Sequence, residues 1–568
     1  TNQIIFMKQS KTNSINGAEA MVKLLEANGV EYIFGLCGDT SLPFYDALYT
    51  LDHKIKHILT RDERHASYMA EAYARVTGKI GICEGPSGGG ATYIIPGVIE
   101  ANESSVGLIA ITSDVARSSI GKYPLTELRQ EELFKPLTKW NATLENAKNL
   151  PSLIRKAFRV SSTGRPGAVH LCFPIDVQKS EIDPTDIWSQ KDFYSFPAWP
   201  TKTSKKNIKD FIKIIEQSSK PLIICGGAIL FARAEKIFKE IVEKNNIAVA
   251  STISGKGTLE DDHENYLGVV GSNGAVLETR KVVQNADLII FIGCRAGSVT
   301  TEKWQYPSHN QKIIHIDNDP EVISANYKTE LSIVSDARLF LEDLKEQGLQ
   351  KVFNGKEDIK KSKQEKWKNF NNLATSNVTP IKPERIVADL NSVLPNDCYV
   401  VADAGTPCPY FAAFFKLKKA GKYFLTNRAH GALGYALPAA IGVQIGKPDN
   451  RVVSVMGDGS FGLAVGELET AVRLNLPIIF IVLSNSVYGW IKAGQKTSFD
   501  ERYYSVDFTR TNHAEVAKAY GLESFRVEKP EDIKKTIKKA LSLKKPSLID
   551  IISEPLQEAN APVSEWIA

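Results

Sequence analysis

The sequence predicts an α/β protein of three domains, each a doubly wound parallel sheet. Short apolar, β-branched runs alternate with helically spaced segments along almost the whole chain, the pattern of buried parallel strands covered by helices. The alternation breaks twice, at polar stretches, which divides the 568 residues into three blocks of domain size. The two outer blocks are similar in length, and each opens with a helix followed by an apolar strand. The predicted domains are 1–186, 207–345 and 378–568, the last ending in a candidate lid at 559–568.

In the first block, residues 32–35, 80–83, 107–111 and 168–172 read as buried strands, while 18–28 and 66–76 carry apolar residues at helical spacing. A polar stretch with Pro197 and Pro200 then runs to Lys206. The alternation resumes at Pro221 and lasts to Leu344. The Lys-rich segment 351–376 reads as one solvated helix and then a linker. The third block runs from Pro383 to Pro555.

Hydrophobic residues make up 43% and charged residues 24%, a globular balance that rules out wholesale disorder. A net charge of +5 over this length gives no case for nucleic acid or an anionic membrane as partner. Apolar runs such as 478–483 are far shorter than the roughly 20 residues a spanning helix needs. Residues 1–10 lack the cleavage pattern of a secretory signal. The seven cysteines are scattered, mostly in strand-like runs, so a reducing cytoplasm is expected rather than a disulfide framework. No CxxC or HExxH spacing points to zinc.

The chemistry is concentrated in the third block. An apolar strand from Val452 runs into Gly457-Asp458-Gly459-Ser460, with a helix expected over 467–473. A second apolar strand, 477–483, ends in Ser484-Asn485-Ser486. Glycines let backbone approach phosphate oxygens, and a helix N-terminus favours anions. Asp458 offers a hard carboxylate ligand and Asn485 an amide oxygen, both at carboxyl ends of strands, where open α/β sheets bind ligands. The pattern suits a divalent metal on a diphosphate.

This spacing resembles the thiamine diphosphate signature, with Ser484 replacing the first Asn of its closing pair and Asn485 keeping the second. The likeness spans nearly the whole chain and is to the superfamily of acetolactate synthase, pyruvate decarboxylase and oxalyl-CoA decarboxylase. It implies a pyrimidine-binding, a middle and a diphosphate-binding domain in that order. It also implies thiamine diphosphate and Mg²⁺ as cofactors, with Asp458, Asn485 and Val487 as metal ligands. Glu63, in Arg61-Asp62-Glu63-Arg64-His65, stands where the family carries the glutamate that hydrogen-bonds the aminopyrimidine ring. The Gly-rich run 85–92 falls at a turn close to the cofactor. Gly405 and Thr406 would meet the diphosphate, and Gly431 opens the segment in which Leu433 matches the residue that bends the cofactor into a V.

Some positions depart from the synthases. Thr126, Ile175 and Gly494 stand where those enzymes carry Gln, Lys and Trp. Asp39, in Cys37-Gly38-Asp39-Thr40, matches the proton-transferring Asp of pyruvate decarboxylase-like members and equally suits an N-cap for a helix near Leu42. The paired His of pyruvate decarboxylases are missing from 113–136. In relatives the middle domain binds FAD, ADP or nothing. Here it holds Gly255-Lys256-Gly257, Gly293-Cys294-Arg295 and His315-Ile316-Asp317-Asn318-Asp319.

The resemblance implies decarboxylation and carboligation of a 2-oxo acid by a homodimer or homotetramer with active sites between chains. The same-fold alternative is a 2-hydroxyacyl-CoA lyase or oxalyl-CoA decarboxylase-like enzyme. A non-catalytic, regulatory homologue would have no chemical reason to keep Glu63, Asp458 and Asn485 together.

Overall fold

A computed structural model describes residues 14–567. The first ten residues and Ala568, on which the expectations about a leader and the last lid residue fell, lie outside the described residues. Three six-stranded sheets, every pairing parallel, form in chain order. The first runs Lys56–Leu59, Tyr32–Gly35, Gly81–Gly85, Leu108–Asp114, Ala168–Pro174, Trp140–Thr143 across its width. The third runs Phe424–Thr426, Tyr399–Ala402, Val452–Gly457, Ile479–Ser484, Ser547–Ile552, Glu523–Val527. Numbered within its own domain, each has the order 2-1-3-4-6-5. The middle sheet has the order 3-2-1-4-5-6 familiar from dinucleotide-binding folds.

The helix Glu63–Thr77 shows why the local sequence folds as it does. Asp62 caps it by accepting from the Arg64 N–H, and Gly78 ends it with φ 73°, a left-handed turn that glycine adopts without strain. Alanines fill much of its interior, and almost every residue is buried. It is covered by its own sheet on one side and by the third-domain helix Ala436–Gly446 on another. Gly442 permits that crossing, since a β-carbon there would lie 2.1 Å from the Met69 carbonyl oxygen.

A buried polar network ties the same two domains. Arg75 Nε donates to Glu71 Oε1 at 2.7 Å, and the Tyr435 hydroxyl donates to Glu71 Oε2 at 2.7 Å. Arg75 also reaches Glu100 and the Thr426 carbonyl, while Glu100 accepts the His430 N–H. A buried ionic group is tolerated only with partners on all sides, and Arg75 has them.

The linker helix departs from expectation. Gly355–Ala374 is not a solvated rod: Ile359, Lys366 and Phe370 are buried, and the Phe370 ring stacks on Phe414 at 4.5 Å. Apolar positions at helical spacing, diluted among lysines, seat it between the middle and third domains. The tail after Ala559 packs on the helix Gly489–Ser498, with the Trp566 and Trp490 rings 5.0 Å apart, and Val563 bridges to Asn273 of the middle domain.

Candidate active site

The carboxyl ends of the third domain's strands enclose a cleft of about 270 Å³. Gly405, Thr406, Gly431, Leu433, Gly457, Asp458, Gly459, Ser460, Asn485 and Val487 all line it. Three local devices bring them together. Gly405 at φ 94° and Gly431 at φ 81° take backbone shapes closed to most side chains. The helix Asp458–Ala464 begins at Asp458 itself, earlier than the sequence suggested, so the acid sits on the helix N-terminus. Ser486, at φ 61°, turns the chain after Asn485 and leads Val487 into an antiparallel bridge with Asp507.

Asp458 is buried, and its carboxylate accepts backbone N–H groups from Gly459 at 3.0 Å, Asn485 at 2.9 Å and Ser486 at 2.6 Å. Burial raises its pKa, and the N–H donors and His513 oppose that shift. Among the described residues no Lys or Arg forms an ion pair with it. Asn485 Nδ2 is also buried without a partner. A β-carbon on Gly405 or Gly457 would meet nothing within 4 Å, so the cradle is open along its backbone. A buried carboxylate held by backbone N–H groups, with no Lys or Arg paired to it, beside bare backbone fits a diphosphate carried on a divalent cation. Leu433 is half-buried on the cleft wall rather than in the core.

Two residues that sequence reasoning passed over brace this cleft. Asp403, fully enclosed, accepts the Ala436 N–H at 2.9 Å and joins the Gly405 loop to the Gly431–Gly434 segment. Burial pushes its pKa to about 7. Asn427 accepts the Ala404 N–H and donates to the Ala432 carbonyl, spanning the same two loops. Their signal was faint: single polar residues just beyond apolar strands.

Glu63 opens its helix in the first domain and is 6% exposed. Among the described residues no other side chain hydrogen-bonds its carboxyl; burial chiefly, with the charges of Asp62 and Glu84, holds its pKa above the ordinary carboxylate range, against the opposing pull of its own backbone N–H. The Gly-rich turn is shaped around it, with Gly85 and Gly90 leaving the space it fills. Glu63 is not among the residues lining the third-domain cleft. Asp39 lies exposed at the first βα turn, where its side chain accepts the Thr40 N–H; the cap of the helix Leu42–Thr50 is Ser41.

The three departures also have places. Thr126 takes φ 73° and hydrogen-bonds Ser87 at 2.7 Å. Ile175 begins the short helix Ile175–Gln178. Gly494 lies against the tail, where a β-carbon would meet the Trp566 carbonyl oxygen at 3.7 Å and its Cβ at 3.8 Å.

In the middle domain a cleft of about 550 Å³ opens where the strand order reverses. Gly226, Gly293, Cys294, Arg295, Asp317 and Asn318 line it, and Arg295 is paired with Glu103 of the first domain. Lys256 takes no part: it is buried in an ion pair with Asp261 at 2.8 Å, because the Gly-Lys-Gly segment turns inward.

Comparison with known proteins agrees with this layout. Family models match in sequence: thiamine pyrophosphate enzyme, N-terminal TPP binding domain over 15–133, central domain over 208–344, and C-terminal TPP binding domain over 403–551. The chain is similar to a probable acetolactate synthase large subunit of Methanococcus aeolicus, at 35% identity over 95% of this chain and 92% of that protein. A protein of the same description from Methanocaldococcus jannaschii is 34% identical, over 96% and 93%. The acetolactate synthase large subunit of Haemophilus influenzae is 31% identical over 93% of each. Matched in all three domains and along nearly its full length, the chain belongs to the thiamine pyrophosphate enzymes.

Proposed function

We propose that this thiamine pyrophosphate enzyme releases CO₂ from a 2-oxo acid and joins the remaining fragment to a second carbonyl compound, as an acetolactate synthase-like carboligase. The observation that carries the reading is Glu63: a buried carboxyl with a raised pKa and, among the described residues, no side-chain hydrogen-bond partner, ready to bond a heterocycle. Bound thiamine diphosphate supplies the carbon nucleophile and the electron sink. Asp458, Asn485 and the Val487 carbonyl would hold Mg²⁺, and Gly405, Thr406 and Ser460 would hold the diphosphate. Leu433 would prop the cofactor apart from the cleft wall. Glu63, in its acid form, would donate to a ring nitrogen of the cofactor. Asp39, exposed on the first domain's strand ends, would exchange protons with substrate.

The third-domain cleft contains no first-domain residue, which supports a site completed by a second copy of the chain, in a homodimer or homotetramer. The middle cleft is proposed for a nucleotide, FAD or ADP, at the sheet's switch point. Seven free cysteines, six of them buried, fit a cytoplasmic protein. No helix among the described residues is long and apolar enough to cross a membrane.

The test supplies the purified protein with thiamine diphosphate and Mg²⁺ and offers a panel of 2-oxo acids, alone and with carbonyl acceptors. CO₂ release coupled to a new C–C bond is expected. No release from any 2-oxo acid, with cofactor shown to be bound, overturns the reading.

A further inference from the structure

Ser484, where this chain departs from the thiamine diphosphate signature, is wholly buried and has a histidine beside it. Its hydroxyl oxygen lies 3.3 Å from His513 Nδ1, in hydrogen-bond contact. His513 is 6% exposed and opens the helix His513–Ala519. Its backbone N–H donates to Asp550 Oδ2 at 3.0 Å, and its ring Nδ1 lies 3.4 Å from Asp550 Oδ1. Asp550 is fully enclosed on the strand Ser547–Ile552, and Arg526 of the edge strand Glu523–Val527 reaches its Oδ2 at 3.5 Å. The register explains the meeting. Val482 stands opposite Asp550 and Ser484 opposite Ile552, so Asp550 and Ser484 share one face of the sheet, and His513 spans them.

Polar groups buried in a sheet cost stability unless they bond one another. Their neighbours Ile481, Leu483, Ile549 and Ile551 are apolar and buried, so packing alone does not call for them. What they adjoin is the metal loop. Ser484 is followed by Asn485 and Ser486, whose N–H groups donate to Asp458 Oδ2 at 2.9 and 2.6 Å. The His513 ring also meets the Phe461 ring edge-on at 5.1 Å, and Phe461 lies on the helix that Asp458 opens. One side chain thus touches both elements that carry the proposed metal ligands. Asn485 Nδ2 is buried without a partner, so the backbone on either side sets where that side chain stands. A hydroxyl can donate or accept, so the contact at Ser484 holds whichever ring nitrogen of His513 carries the hydrogen.

We infer that His513 is a positioning residue that fixes Ser484 and, through it, the Asn485–Ser486 turn on which the Asp458 carboxylate is held. The inference rests on the reading of Asp458 and Asn485 as the residues that hold Mg²⁺. His513 does not line the cleft, so it acts on the metal loop from behind and not on cofactor or substrate.

The test titrates Mg²⁺ by calorimetry into the purified protein in excess thiamine diphosphate, with a thermal unfolding curve for each variant. His513→Ala should weaken Mg²⁺ binding by about 10-fold or more, the scale on which outer partners of metal ligands act. His513→Asn places an amide nitrogen near the Nδ1 position and should recover most of that loss, which ring bulk alone would not explain. Ser484→Ala should also weaken Mg²⁺ binding, and adding it to His513→Ala should cost little more, because the bond is already gone. Native Mg²⁺ affinity in a folded His513→Ala overturns the inference, as does an Asn variant no better than Ala. Should His513→Ala not fold, native affinity in Ser484→Ala overturns it. Asp458→Ala, run beside these, separates the two claims. Unchanged Mg²⁺ binding there removes the reading of the metal site and the inference with it, whereas loss there beside an unaffected His513→Ala overturns the inference alone.

Discussion

Gly90 stands so close to Glu63 that a β-carbon on it would lie 3.1 Å from carboxylate oxygen Oε1 and 2.4 Å from Pro86 Cδ. The Gly-rich turn is thus a mould for the acid. Gly90→Ala must displace either Pro86 or Glu63. A shift near 1 Å at a reacting group costs up to about 100-fold in rate, so turnover should fall by about 10- to 100-fold with little loss of stability. Steady-state kinetics beside a thermal unfolding curve measure both. Unaltered turnover would mean that the turn does not position Glu63.

Glu63→Gln should fold and bind cofactor but lose at least about 100-fold in turnover, because an amide cannot exchange the proton. The wild-type pH profile carries a related sign. On the proposed reading of Glu63 the acid form is the working form, and burial, with the Asp62 and Glu84 charges, raises its pKa. Activity should therefore hold as pH falls through the ordinary carboxylate range and decline as pH rises past the raised value. A profile that improves steadily on the alkaline side would contradict the assignment.

Asp458→Ala removes the cleft's buried carboxylate. Calorimetry should show thiamine diphosphate binding weakened and no longer responsive to Mg²⁺, because the helix N-terminus alone offers only a partial charge. Glu63 and Asp458 also lie in different domains, so two inactive variants can complement. Mixing Glu63→Gln with Asp458→Ala after reversible dissociation should restore part of the activity, since one site of a mixed dimer then has both native residues. Mixed dimers without recovery would place each site within one chain.

Arg75→Met tests the junction between the outer domains. The variant leaves Glu71 and Glu100 buried without their cation. Removing one partner of a buried pair costs about 3–5 kcal/mol. Burial already raises the Glu71 pKa, and without Arg75 it must rise further. A raised folded-state value stabilises at low pH and loses that stabilisation as pH rises through it. The defect should accordingly be largest at neutral pH and shrink toward about pH 5, as denaturant unfolding at several pH values would show. A pH-independent defect would point to lost packing instead.

Much of this architecture was legible in the residues because its signals are local. The strands Tyr32–Gly35, Pro221–Cys225 and Tyr399–Ala402 match their apolar runs residue for residue. The third-domain site was legible because Gly457-Asp458-Gly459 and Asn485 announce a turn, a ligand and a second strand end in one stretch. What stayed hidden depends on distant pairs. Lys366 and Phe370 looked solvated among lysines because nothing nearby shows what covers them. Asp403 and Asn427 are ordinary polar residues until two loops meet over them. Asp39 fitted two roles equally in the sequence. The structure gives the cap to Ser41 and leaves Asp39 exposed.

The outer sheets share the order 2-1-3-4-6-5. In both, the third strand of the domain ends on a glycine, Gly85 in one and Gly457 in the other, and hands over to a helix beside the site. One copy carries the buried acid Glu63 and the other the buried acid Asp458. The outer domains thus repeat one topology, and the same place in it is used twice to set a buried acid beside a strand end. The first-domain backbone, superposed on the third, should bring Gly85 onto Gly457.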